Sequence, residues 1–156
     1  MSEMIPGMSA PLFTLPRDGG GTVSLEAFKG RKVVLYFYPK DNTSGCTVEA
    51  IDFTALLPEF EKADTVVIGL SPDSAASHDK FCKKHNLGVI LAADEDKSTL
   101  SAYGVWTEKS MYGRKYMGVE RTTVLVGRDG TIAQVWPKVK VKGHAQEVLD
   151  ATRNLG

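Results

Sequence analysis

The sequence predicts an α/β protein: a central mixed β-sheet flanked by helices, with a small β-hairpin near its N-terminus. Three features carry that reading. Val33-Val34-Leu35-Tyr36-Phe37-Tyr38 is an unbroken β-branched and aromatic run, the mark of a strand buried on both faces. Strand-like and helix-like stretches then alternate as far as Tyr103, as in a layered α/β fold. Finally, apolar stretches on either side of Arg128-Asp129-Gly130 form an Asp-Gly hairpin signal ahead of a closing amphipathic helix. The 156 residues suit a single domain spanning 1–156, because a chain of this length buries one sizeable core.

In chain order, residues 1–8 read as a loose lead-in. Residues 13–15 and 22–25 flank Asp18-Gly19-Gly20-Gly21 and form the N-terminal hairpin. Ser24 caps a short segment over 25–29, and Gly30 closes it. After the 33–38 strand, residues 39–45 form a loop. A helix begins near Cys46, with Val48, Ile51, Ala55, Leu56 and Phe60 at helical spacing. Residues 65–70 are a second buried strand, and Asp73 or Ser74 caps a helix reaching His85. Residues 96–103 form a short helix ended by Gly104, residues 122–126 and 131–136 pair across the Asp-Gly turn, and 143–155 is the final helix.

Lys plus Arg number 19 and Asp plus Glu number 19, so there is no basic excess to hold nucleic acid or an anionic membrane. The longest apolar stretches, 33–38 and 65–70, are too short to span a bilayer, and residues 1–11 lack the features of a secretory signal. The expectation is a cytoplasmic protein. Its two cysteines then make no permanent staple, and any pairing belongs to a redox cycle.

Cys46 carries the chemistry. It follows the carboxyl end of a buried strand, where reactive groups of open α/β sheets gather. In the first turn of a helix it faces unpaired N–H groups and the positive end of the helix dipole, which favour thiolate over thiol. Most free cysteines are apolar filler, but those sit inside helices and strands, not between Gly45 and Thr47 at a loop-to-helix junction. Thr43, three residues earlier, is in reach of the sulfur, and Gly45 leaves the backbone open where a small substrate approaches. Taken alone, Arg121 reads as a solvated strand-end charge and Glu49 as a first-turn acid.

Pro39-Lys40-Asp41-Asn42-Thr43-Ser44-Gly45-Cys46 matches the Pro-x-x-x-Thr-x-x-Cys signature of the peroxiredoxins. The wider string from Tyr36 to Thr43 resembles the bacterioferritin comigratory protein subgroup, also called peroxiredoxin Q, and the likeness runs from Ala10-Pro11-Leu12-Phe13 to the last helix. That resemblance implies a thioredoxin-like fold and a thiol peroxidase acting on hydrogen peroxide and organic hydroperoxides. Cys46 would be the peroxidatic cysteine, Thr43 would donate a hydrogen bond toward the peroxide, and Pro39 would shield the site from water. Arg121, in Val119-Glu120-Arg121-Thr122-Thr123, would stabilise the thiolate and the departing oxygen, with Glu49 orienting it. The chemistry implied needs no metal, haem or flavin. The reductant implied is thioredoxin or glutaredoxin, and the subgroup implies a monomer.

The sequence also departs from many relatives. Ser44 stands where they carry proline, and Ile51 where they carry a second cysteine, so a short-range disulfide is impossible. The remaining thiol is Cys82, on a later helix where some members of the subgroup hold their resolving cysteine. Sulfurs on successive helices are not expected within disulfide reach, a Cα separation of roughly 4.4–6.8 Å, so the first turn of the Cys46 helix must unwind for them to join. Lys80, Lys83 and Lys84 are expected to favour the Cys82 thiolate, although a small core residue beside Phe81 is the plain alternative. His78, Cys82 and His85 share a helix face, but they span about 10 Å of axis, too long for one zinc. His144 reads as a surface residue. The aromatic and Met-rich residues 106–119, Tyr112 among them, are expected to line the mouth of the site. A general thiol–disulfide oxidoreductase would need Cys-x-x-Cys, and Thr47-Val48-Glu49 follows Cys46 instead. A peroxide-oxidised sensor or holdase binding partner proteins stays open as the alternative to an enzyme.

Overall fold

A computed structural model describes residues 4–156. Its first elements are the antiparallel pair β1 (Thr14–Pro16) and β2 (Thr22–Ser24), joined through the glycine run. A 3-10 turn, Glu26–Phe28, follows; Leu25 sits at its N-cap with no side-chain hydrogen bond, so Ser24 does not cap it. Strand β3 (Lys32–Phe37) is buried at every position. Helix α1 (Ser44–Lys62) comes next, then β4 (Thr65–Ser71) and α2 (Ala75–His85), which Ser74 caps by accepting from the Ser77 N–H. Then come β5 (Ile90–Ala93), α3 (Ser98–Ala102) and the hairpin strands β6 (Trp106–Met111) and β7 (Arg114–Val119). Strands β8 (Thr122–Val126) and β9 (Ile132–Trp136) precede helix α4 (His144–Asn154).

The main sheet runs β5-β4-β3-β8-β9, with β3, β4 and β5 parallel and β8 and β9 antiparallel to their neighbours. Parallel pairs need crossovers, and α1 and α2 supply them on one face. There Val34, Tyr36 and Tyr38 pack against Ala50 and Phe53 of α1, Phe81 of α2 and Val148 of α4. On the other face Val33, Leu35 and Phe37 meet Phe13 and Val23 of the N-terminal hairpin region and Leu100 beside Tyr103. The mixed sheet with helices on both faces and an N-terminal hairpin is the architecture read from the sequence.

Four local readings need correction. Of the lead-in expected over residues 1–8, the first three lie outside the described residues. The rest is held: the Gly7 N–H donates to the Ile132 carbonyl, Ser9 bridges Thr131, and Met4 and Met8 pack on the core. Strand β5 is an additional element, built on Ile90-Leu91-Ala92-Ala93, a short apolar run whose periodicity does not distinguish strand from helix. Residues 106–119 form two strands around a Tyr112-Gly113 turn with both residues at positive φ. Helix α1 starts at Ser44, and its buried side carries Cys46, Glu49, Ala50, Phe53 and Phe60 while Val48 and Ile51 face solvent.

The sheet also sets the floor beneath α1. Thr123, Tyr36, Gly69 and Leu91 are cross-strand partners in one row. A Cβ added at Gly69 would lie 2.6 Å from Cζ of Tyr36, 2.7 Å from its hydroxyl and 2.8 Å from Leu91. Glycine inside a strand marks such a close approach. Gly69→Ala forces the Tyr36 ring off its stack on Phe53, whose centroid is 4.8 Å away. The expected loss is about 1–3 kcal/mol in urea unfolding; a variant as stable as wild type would mean the phenol is not wedged over Gly69.

Candidate active site

Cys46 stands in the first turn of α1, with Thr43 at the N-cap in extended backbone geometry. The Thr47 N–H reaches the Thr43 carbonyl, so the N–H groups of Ser44, Gly45 and Cys46 lie in the turn that has no intrahelical acceptors. The sulfur is almost fully buried, yet it is not simply filler: Arg121 Nη2 donates to Cys46 Sγ at 3.2 Å. Arg121 enters from the residue just before β8, beside β3. Its Nη1 donates to Glu49 Oε1 at 2.7 Å. One guanidinium therefore joins a buried carboxylate to the sulfur.

The electrostatics follow from burial. Removal from water pushes the Glu49 carboxyl up to about 7, against the pull of Arg121. Burial alone would lower Arg121, but the charges of Glu49 and Cys46 outweigh it and hold the guanidinium above its usual range. Gly45 is what lets Arg121 in: a Cβ there would sit 3.3 Å from Nη2. The space beside Gly45, expected to admit substrate, is taken in this state by the arginine.

The loop residues divide. Pro39 is half-buried and Thr43 is exposed. The Thr43 hydroxyl donates to the Lys40 carbonyl three residues back, at 2.8 Å, and not to the sulfur. In this state its oxygen is left as an acceptor, whereas donation toward a peroxide was expected.

A second polar group, which sequence reasoning missed, ties this loop to α2. Asp41 is buried and accepts from Tyr38 Oη at 2.7 Å, from Ser77 Oγ at 2.8 Å and from His78 Nδ1 at 2.8 Å. His78 Nε2 donates to the Ala92 carbonyl at 3.0 Å, and the Asp41 N–H donates to Asp73 Oδ2 at 2.8 Å. Burial would raise the Asp41 carboxyl, but the His78, Tyr38 and Ser77 hydrogen bonds hold it below its usual value. A signal existed: His78 lies on the apolar stripe of its helix, three residues before buried Phe81. Asp41, Asp73 and His78 offer atoms within 4.8 Å of one another, the spacing of a metal site, but those atoms are engaged in these hydrogen bonds.

Cys82 lies on α2, half-buried against the same apolar cluster as Cys46, and both thiols are free. The expected lysine influence is reversed. Burial, then the charge and hydrogen bond of Asp18, then Asp41 and Asp79 push its thiol up to about 12. The lysines sit on the solvent side, and Lys83 pairs with Asp79 at 2.9 Å. Asp18 reaches Cys82 from the N-terminal hairpin, a proximity that no spacing in the sequence reveals.

Two further expectations change. Tyr112 occupies the tip of the β6–β7 hairpin and is 98% exposed, projecting into solvent and forming no wall. His144 is buried, not on the surface: Nε2 lies 2.8 Å from Thr123 Oγ1, and the ring meets Phe53 and Trp136 edge-on. Burial, above all, lowers its pKa. Among the described residues no helix is long and apolar enough to cross a membrane.

The raised carboxyl of Glu49 makes stability depend on pH with a definite sign. The folded protein holds that proton more tightly than the unfolded chain between pH 4.5 and about 7. Its contribution is therefore complete below pH 4.5 and is lost as pH rises toward 7. The expected slope amounts to on the order of 2–3 kcal/mol across that window. Urea unfolding should show it in wild type, and Glu49→Gln should remove it; an unchanged slope in the variant would assign it to another group.

The chain is matched over residues 6–135 by the family model described as the AhpC/TSA family. It is 50% identical over 143 residues to the putative peroxiredoxin bcp of Coxiella burnetii, covering 92% of this chain and 95% of that one. Its fold superposes with a TM-score of 0.91 on the solved Xanthomonas campestris peroxiredoxin Q, at 44% identity and over 96% and 97% of the two chains. The same score, at 42% identity over 96% and 98%, relates it to a structure of the Xanthomonas campestris bacterioferritin comigratory protein described in connection with alkyl peroxide reduction. The α/β sandwich is thus the thioredoxin-like fold of these neighbours. The chain belongs to the AhpC/TSA family, and within it to the peroxiredoxins of the Bcp, or Q, group.

Proposed function

We propose that the chain, working as one domain, reduces hydrogen peroxide and organic hydroperoxides through Cys46. The observation that carries this reading is the Arg121 guanidinium, 3.2 Å from the Cys46 sulfur and held 2.7 Å from Glu49. A fixed cation beside a sulfur in the first turn of a helix favours the thiolate. The thiolate attacks the terminal peroxide oxygen, the O–O bond breaks, and the leaving oxygen takes a proton to become water or an alcohol. Cys46 is left as a sulfenic acid. Arg121 is placed to meet the negative charge that grows on the departing oxygen. Thr43 turns from the Lys40 carbonyl to the incoming peroxide, and half-buried Pro39 keeps water from the sulfur.

Cys82 then condenses with the sulfenic acid, and thioredoxin, or glutaredoxin, reduces the disulfide by thiol exchange. That partner places the protein in a reducing compartment, the cytoplasm, acting as a monomer. The resolving step needs the first turn of α1 and the Asp41–His78 tie to open, since Cys46 is buried and α2 is fastened to the loop.

Turnover separates this enzyme from a sensor oxidised once. With hydrogen peroxide and an NADPH-coupled thioredoxin system, wild type should consume many equivalents, Cys46→Ser none, and Cys82→Ser one equivalent without recycling. Arg121→Met should slow the peroxide step roughly 10²–10³-fold, the scale of losing one charged donor to the reacting oxygen. One equivalent consumed by wild type would replace the enzyme with the sensor. Full turnover by Cys46→Ser would remove the mechanism.

A further inference from the structure

Tyr36 holds an unusual atom. Its hydroxyl is fully buried and has no hydrogen-bond partner, one of three such side-chain atoms among the described residues, with Glu49 Oε2 and Asp94 Oδ1. A buried hydroxyl without a partner destabilises a fold, and phenylalanine would keep the same stacking on Tyr38 and Phe53 without that penalty. Gly69 inside β4 leaves the gap that the end of the ring and its hydroxyl fill. Gly69 makes room for the ring and its hydroxyl alike, so the partnerless hydroxyl is the feature that packing leaves unexplained.

Its direction is informative. In the row Thr123–Tyr36–Gly69–Leu91, the phenol lies over Gly69 and beside Leu91, away from β8 and the Arg121 side. It therefore points under the crossover helices toward the half of the sheet that α2 covers. Cys46 of α1 and Cys82 of α2 both pack on the cluster that contains Tyr36. Burial first, then the charges of Glu49, Cys82, Asp41 and Cys46, raise its pKa well above the usual tyrosine value. The group accordingly remains O–H, a neutral donor with both sulfurs in its surroundings.

We propose that the Tyr36 hydroxyl donates a hydrogen bond to the Cys82 sulfur as that thiol loses its proton and attacks the Cys46 sulfenic acid. The inference rests on Cys82 being the resolving cysteine. In that step a Cys82 electron pair forms the S–S bond while the Cys46 S–O bond breaks. The Cys82 proton leaves with the departing oxygen as water, so the Cys82 sulfur is oxidised and the Cys46 sulfur reduced to the disulfide level. Cys82 needs such help because burial first, then Asp18, Asp41 and Asp79, oppose its anion, and the neighbouring lysines face solvent. A donor without charge supports the thiolate and leaves the resting thiol protonated.

The test is Tyr36→Phe under a single turnover of hydrogen peroxide, quenched at intervals, with Cys46 sulfenic acid and the Cys46–Cys82 disulfide counted by mass spectrometry. Expected are sulfenic acid at the wild-type rate, disulfide formation slowed roughly tenfold, as for one lost hydrogen bond to a charged atom, and a melting temperature unchanged or higher. A disulfide formed at the wild-type rate overturns the proposal. So does a slowed sulfenic-acid step, which would assign the hydroxyl to Glu49 and Arg121, or a lowered melting temperature with both steps slowed alike, which would make it packing alone. Wild type forming no Cys46–Cys82 disulfide overturns this proposal together with the resolving role it rests on, whereas the Tyr36→Phe comparison can fail with that role intact.

Discussion

Everything at this site turns on a single guanidinium. Arg121 binds Glu49 with one nitrogen and the Cys46 sulfur with another. A carboxylate as buried as Glu49 is tolerable only beside a cation, and a buried thiolate has the same need. Gly45 admits the arginine, and β8 delivers it because that strand pairs with β3, whose end leads into the Cys46 loop. The helix turns its polar Glu49 inward and its apolar Val48 and Ile51 outward to accommodate this arrangement. The same face carries Ala50, Phe53 and Phe60 into the core, so apolar packing and the ion pair orient α1 together.

The two thiols sit in opposite environments on the same apolar cluster. Cys46 meets a cation; Cys82 meets Asp18, Asp41 and Asp79. In the proposed cycle such asymmetry would let the Cys46 sulfur react first, while burial and the three carboxylates oppose the Cys82 anion. The Asp41–His78 network adds a mechanical link, because it fastens the loop ahead of Cys46 to the helix that carries Cys82. Any rearrangement that joins the sulfurs must break hydrogen bonds at both ends of that link.

Much of this was legible in the chain itself. The run Val33 to Tyr38 announced the central strand, Asp129-Gly130 its hairpin, and Ser74 a helix start, because each depends on neighbours close in sequence. The loop-to-helix position of Cys46 was legible for the same reason. What failed depends on partners far along the chain. Leu25, not Ser24, holds the N-cap of the 3-10 turn, β5 is only four apolar residues long, and Glu49 turns inward on α1 beside Phe53 to meet Arg121, 72 residues away. Burial first, and then Asp18 from across the fold, push the Cys82 thiol up, so counting the lysines beside it pointed the wrong way. His144 was misplaced because its burial is decided by Phe53, Thr123 and Trp136, none of them local.

The proposed activity requires that Arg121, placed against the Cys46 sulfur, favour its charged form. Ultraviolet thiolate absorbance at neutral pH measures that charge directly in a Cys82→Ser background, with Cys46→Ser as the blank. A thiolate signal that falls sharply when Arg121 becomes methionine is the result expected. A signal of undiminished size without the guanidinium would contradict the account at its root.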